Sequence, residues 1–213
     1  MSADRLGEAL ATLRVMSGLP EGATADPSWT GVLNAVAGHA TKTGDGAWQE
    51  VLCDRTGLPD RVVEVVAEAL GECGRDRRRA GALQSLAAWW PGEPVDSAWA
   101  ENLERRREEL MAIRGIGHEV VDRILLDVLG LRVIPISRAM MRVACRHGWA
   151  GLEWDYEEWQ HLFLAAAERG DIGPSLAYRL LNHVGATHCR AQPDCGTCPL
   201  ECLLPENGPY DPE

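Results

Sequence analysis

The chain has 213 residues, enough for one large domain or two smaller ones sharing a groove, and its 46% apolar content excludes disorder as the default state. The formal net charge of −11 means that any grip on nucleic acid has to come from a local basic patch, because phosphate contacts need clustered cations. The longest apolar runs are short and broken by charge, so no membrane span is expected. The N-terminal residues open a charged amphipathic pattern rather than an apolar signal core, and a cytoplasmic location is expected.

Along the chain, apolar residues recur at helical spacing: Leu6, Leu10 and Leu13 first, then Val62, Val63, Val66 and Leu70. Breaks are expected at Gly18–Pro27, Thr41–Gly46, Gly57–Pro59, Gly71–Gly74, Pro91–Pro94, Gly130–Pro135, Gly148–Gly151 and Gly170–Pro174. The segments between them run to about 10–17 residues, the ordinary length of globular helices. Leu131–Ile136 is the one β-prone stretch, and Pro135 argues against a strand there. An all-α fold is therefore expected. Eight tryptophans against one phenylalanine imply that indole fills much of the core. Basic residues cluster twice, at Arg75, Arg77, Arg78 and Arg79 and again at Arg105, Arg106 and Arg107, and either run reads first as a solvated helix face.

A helix from about Ala98 to Ala112 is expected to run into Gly115-Ile116-Gly117, with a second helix over about Glu119–Leu129 stopped by Gly130. Such a helix-hairpin-helix layout lets the backbone turn tightly and approach a phosphate, which exposed N–H groups and the second helix's positive end then bind. Ile113 and Ile116 would pin the hairpin to the core. A lone Gly-x-Gly between helices is more often a plain turn, so its weight depends on what accompanies it.

What accompanies it is the tail Cys189-Arg-Ala-Gln-Pro-Asp-Cys195-Gly-Thr-Cys198-Pro-Leu-Glu-Cys202. From Thr187 onward the chain has too few apolar residues to pack unaided, so four thiolates here point to a metal centre. Spacing leaves both Zn²⁺ and a [4Fe–4S] cluster open. Only Cys195 and Cys198 form a C-x-x-C knuckle, where zinc sites usually pair two, and this tilts the reading to iron–sulfur. Cys53, Cys73 and Cys145 lie on apolar-patterned segments and are expected in the core.

Hairpin and tail, in this order and at this separation, resemble the endonuclease III branch of the helix-hairpin-helix DNA glycosylases, over most of the chain. Asn34-Ala-Val-Ala-Gly-His-Ala-Thr41 resembles a family segment in which a glutamine, here His39, contacts DNA. Gly74-Arg-Asp-Arg-Arg-Arg-Ala-Gly-Ala-Leu83 resembles another, with Arg79 at the family's lysine and Arg75 beside it. Arg142 and Arg146 match arginines on the helix after the catalytic aspartate, and Gly185 matches a glycine just ahead of the cluster. The resemblance implies a six-helix domain over about 20–130 and a cluster domain built from about 1–19 and 131–213, flanking a DNA-binding cleft. It implies that double-stranded DNA, damaged or abasic, is kinked there with the target base flipped out. The implied DNA contacts are Gly115, Ile116, Gly117, His39, Arg75, Arg79 and Arg142. The implied cluster ligands are Cys189, Cys195, Cys198 and Cys202, in a monomer associated with the nucleoid.

Two catalytic positions depart from that pattern. The family's Schiff-base lysine corresponds to Glu119, and its aspartate, eighteen residues on, corresponds to Ser137. A carboxylate cannot form an imine, and a neutral hydroxyl cannot offset oxocarbenium charge. Glu119 reads either as a first-turn glutamate favoured by the helix dipole or as a water-activating base that has taken over one catalytic role. Asp122 is a weaker candidate for that role, expected at a solvated position. The first and last cysteine gaps are shorter than the family's, and in the first Arg190 is cancelled by Asp194, so a weak, salt-sensitive grip on DNA is expected. Three functions follow: an altered glycosylase, a catalytically silent lesion-binding protein, or an interaction or redox protein for which DNA is irrelevant.

Overall fold

The computed structural model describes residues 2–18, 31–32, 35–36, 77–90 and 102–210. His39, Arg75, Cys53 and Cys73 lie outside the described residues. Among the described residues there are seven α-helices and no strand: α1 (Ser2–Ser17), α2 (Arg77–Trp89), α3 (Leu103–Met111), α4 (His118–Arg123), α5 (Arg138–Arg146), α6 (Tyr156–Arg169) and α7 (Pro174–Thr187). A π-helical turn, Ile124–Val128, continues α4, and a 3₁₀ turn, Glu201–Leu203, follows the cysteines. The all-α expectation holds, and Leu131–Ile136 runs as irregular chain.

The chain divides into two compact units, Thr24–Leu131 and the pair Met1–Ala23 with Arg132–Glu213. In the second of these, Leu6, Leu10 and Leu13 of α1 are buried with Met140 and Val143 of α5, Trp159 and Phe163 of α6, and Leu176 and Leu180 of α7. Local signals place these helices. Ser137 caps α5 by accepting from the Met140 amide at 3.2 Å, Asp155 and Glu158 form a reciprocal capping box on α6, and Gly173-Pro174 starts α7. Helix α1 meets α6 so closely that a Cβ on Gly7 would lie 2.8 Å from the Arg169 Cβ. The cysteine tail joins this core through Leu200, fully buried, and Cys189, an anchor that its polar composition did not announce. Cys145 is buried as expected.

In the Thr24–Leu131 unit, Leu83 and Leu86 of α2, Leu110 of α3 and Val121, Ile124 and Leu125 of the α4 segment are buried. The arginines of α3 do not form a solvated cationic face. Arg105 and Arg106 both meet Glu109, at 3.0 and 2.7 Å, and Arg107 meets Glu104 at 3.3 Å and Asp122 at 2.8 Å. The expectation for Asp122 also fails: its side chain is 1% exposed. The α4 segment has one face too many for a half-exposed helix, because Val120, Val121 and Asp122 are buried in succession.

Candidate functional site

The hairpin joins α3 to α4 in a short span. Gly115 sits at φ +94°, a left-handed conformation that a side chain would strain, and this is what turns the chain. Gly117 has ordinary extended angles and caps α4; a Cβ there would meet nothing within 4 Å, so only a molecule approaching from outside would need it bare. Ile116 is buried and Ile113 partly so, as pins should be, while Gly115, Gly117 and His118 face solvent. Among the described residues neither the Gly115 nor the Gly117 amide finds a backbone acceptor. Arg107 holds the hairpin from beneath, its Nε and Nη2 donating to one Asp122 oxygen at 3.2 and 2.8 Å. Two exposed-side amides on a rigid turn can receive an anion.

Of the two positions that the resemblance marks as catalytic, Glu119 is half-buried on the first turn of α4. Ser137 is buried, and its hydroxyl is fully employed: it accepts from Met140 N–H and donates to Asn182 Oδ1 at 2.7 Å, while Asn182 Nδ2 donates to the Tyr178 carbonyl. Arg79 lies on α2. Arg142, a DNA contact by resemblance, spends its Nε on the Cys189 carbonyl and its Nη2 on that of Gly185 at 3.0 Å.

One turn further along α5, Arg146 is only 7% exposed. Its guanidinium donates to the Cys189 sulfur at 3.4 Å and to the carbonyls of Arg190 and Ala191. The two arginines, four residues apart on a buried face, thus fasten the end of α7 and the start of the cysteine loop. Sequence reasoning missed this staple; two arginines at helical spacing on an apolar-patterned helix were its signal. Gly185 acquires a physical reason as well. A Cβ there would lie 2.6 Å from the Ala139 Cβ, so glycine lets α7 and α5 touch beneath the loop. Gly185→Ala should lower stability by about 1–3 kcal/mol, with Ala139→Gly restoring part of it, read from urea unfolding of the two single variants and the double.

The loop winds over this floor by short turns, Asp194 N–H to His188 O at 2.9 Å and Cys198 N–H to Cys195 O at 3.0 Å. Cys189, Cys195 and Cys198 line one cavity with Arg146, His147, His188, Asp194 and Glu201. Burial foremost, then the neighbouring Cys189 sulfur, pushes the Cys195 thiol up; burial foremost also pushes Cys198 up. Three sulfurs thus share one cavity beside a buried guanidinium. Among the described residues, however, no group of three or more His, Cys, Asp or Glu side chains is placed to hold a metal ion. Cys202 is exposed and does not line the cavity.

His147 closes the inner side, stacked on Trp149 with centroids 4.4 Å apart, its Nδ1 2.8 Å from the Val143 carbonyl and its Nε2 3.3 Å from that of Leu200. Burial pulls its pKa below the ordinary imidazole value, outweighing both carbonyls. The folded state thus favours neutral imidazole, so its stability is intact above the ordinary value of about 6.5 and falls as pH drops below that towards the lower folded value. Thermal melts at pH 7.5 and 5.0 should show a larger loss for wild type than for His147→Gln, which lacks the titration.

No protein-family model matches the sequence, and no curated protein matches it either. Solved structures do. An endonuclease III trapped in a covalent intermediate with DNA superposes with a TM-score of 0.71 at 20% identity, over 97% of this chain and 97% of that one. The fold is that of endonuclease III. A non-covalent endonuclease III–DNA complex gives the same score and identity over 97% and 96% of the two chains. A thermostable thymine-DNA glycosylase gives 0.63 at 15% identity over 95% and 94%. At these identities the endonuclease III likeness speaks for the fold alone. No described helix is long and apolar enough to cross a membrane.

Proposed function

We propose that this protein is an endonuclease III-like base-excision-repair protein that binds damaged or abasic duplex DNA, with altered or weak glycosylase activity and no Schiff-base lyase activity. The observation that carries this reading is the Gly115-Ile116-Gly117 turn, whose exposed glycine amides lack backbone acceptors, in a chain that superposes almost end to end on DNA-bound endonuclease III. The turn supplies a phosphate clamp held in shape by Arg107 and Asp122. Glu119 stands in the lysine's position and acts on water, not on the sugar as an amine. The cysteine loop carries an iron–sulfur cluster, whose part is to fold the tail onto α5 and α7. The protein works as a cytoplasmic, nucleoid-associated monomer.

A second reading has its own observation. Ser137 supplies no charge and its hydroxyl is committed to Met140 and Asn182, which favours a lesion-binding protein that performs no chemistry. One assay series separates the two. Duplexes bearing different lesions are incubated with the protein, with and without alkali, and binding to abasic and undamaged duplex is titrated with salt. Alkali-dependent strand breaks that disappear in Glu119→Gln support the glycosylase. Lesion-preferring binding without product supports the silent binder, and no binding at low salt overturns both. Efficient borohydride cross-linking to abasic DNA would sink the exclusion of a Schiff base.

A further inference from the structure

Part of the wall of the cysteine cavity is made by the last described stretch of chain. Leu204 and Pro209 line the cavity together with Cys189, Cys195 and Cys198, and between them the chain turns back, Gly208 N–H donating to the Pro205 carbonyl at 2.9 Å. The stretch ends on α5. That helix stops at Arg146, so the carbonyls of its last turn run out of helical amides to accept from. The Arg146 carbonyl takes the Tyr210 N–H instead, at 2.9 Å. The Tyr210 ring lies against Gly148, where a Cβ would come within 2.6 Å of its Cε2 and 3.2 Å of its Cδ2. Gly148 sits at φ +65°, so glycine at this position both ends the helix and makes room for the ring. Arg146 thus fastens two walls at once, the start of the cysteine loop by its guanidinium and the end of this strap by its backbone.

The walls are not equally firm. Arg146, His147 and Cys189 are buried, the Cys189 carbonyl is held by Arg142, and Leu200 anchors the turn after Cys198 in the core. By contrast, Glu206, Asn207, Pro209 and Tyr210 are exposed, and among the described residues the backbone of the strap reaches α5 through one hydrogen bond. The cavity itself measures about 10 Å³, room for a single water at most. A larger molecule can reach the three thiols only by displacing a wall, and the strap is the wall held by least. We propose that residues 204–210 form a lid over the cysteine cavity, latched by Tyr210 on Gly148 and on the Arg146 carbonyl, and that its opening governs the access of small thiol-reactive molecules to Cys189, Cys195 and Cys198. The lid concerns access and not what the thiols hold, so it does not rest on the iron–sulfur reading.

The test uses the full chain as purified, with timed iodoacetamide treatment and peptide mapping of each cysteine. Tyr210→Ala should speed alkylation of Cys195 and Cys198 about tenfold, equivalent to ~1.4 kcal/mol of closing free energy. Cys202, exposed and outside the cavity lining, should react at the wild-type rate and serves as the internal reference. Tyr210→Phe, which keeps the ring on Gly148, should match wild type. Equal rates in Tyr210→Ala and wild type overturn the lid. So does an equal acceleration at the buried Cys145, which would report a general loosening of the core. Where a bound metal blocks alkylation in both chains, the rate at which excess chelator withdraws it is the readout: faster release from Tyr210→Ala supports the lid, and equal release overturns it. Iron and sulfide analysis of wild type tests the iron–sulfur reading separately, so the two failures are told apart.

Discussion

Asp122→Ala is expected to destabilise the protein by about 3–5 kcal/mol, the cost of stripping one partner from a buried ion pair. The carboxylate is 1% exposed and receives two donors from Arg107, so its removal leaves a guanidinium on α3, itself only one-fifth exposed, facing a hole. Because Arg107 and Asp122 lie on the two helices that flank the hairpin, the loss should loosen the turn as well as lower the unfolding midpoint. Asp122→Asn, which keeps an acceptor, should cost clearly less. The combined replacement Arg107→Met with Asp122→Leu should recover most of the stability, because matched apolar groups remove both desolvation penalties. Urea unfolding of the three variants beside wild type checks this; equal stability of Asp122→Ala and wild type would show that the pair contributes nothing. If the turn clamps phosphate, the double variant should regain DNA binding together with stability.

Arg146→Ala should cost roughly 3 kcal/mol or more, since two carbonyls lose a charged donor and each such bond contributes about 1.5–3 kcal/mol. The damage should be local. Hydrogen exchange at residues 190–195 should speed up far more than exchange within α6, which Arg146 does not hold. Arg146→Lys should rescue little, because a compact ammonium cannot serve three acceptors spread along one loop. Uniform acceleration across all the helices would mean that Arg146 supports the core in general and not the loop in particular.

What could be read from the sequence alone was whatever depends on neighbours in the chain. Gly115, Gly130 and Gly148 mark turns by their positive φ, Pro174 starts a helix, and Asp155 with Glu158 caps one, each signal spanning a few residues. Asp122 was misjudged for the opposite reason. Its partner lies fifteen residues away on another helix, and an aspartate in a helix gives no local sign of whether it is solvated or paired. Arg142 was read through resemblance as a DNA contact and Arg146 as a match without an assigned role, while their acceptors lie more than forty residues on, in the loop they fasten. Cys202 shows the same limit more finely. The order of cysteines is visible in the sequence, but whether the last one shares a face with the rest depends on the turn type between them.

Helix α1 has a bearing on how the molecule is made. Its buried face, Leu6, Leu10 and Leu13, packs chiefly on α6, from which it is separated in sequence by the whole Thr24–Leu131 unit and by α5. During synthesis α1 thus waits with an uncovered apolar stripe until the intervening unit and α6 have been translated. The intervening unit can gather itself meanwhile, as an insertion between two halves that are not yet joined. A truncated product ending before α6 would expose that stripe permanently, which makes it a natural handle for chaperones and proteases that clear unfinished chains.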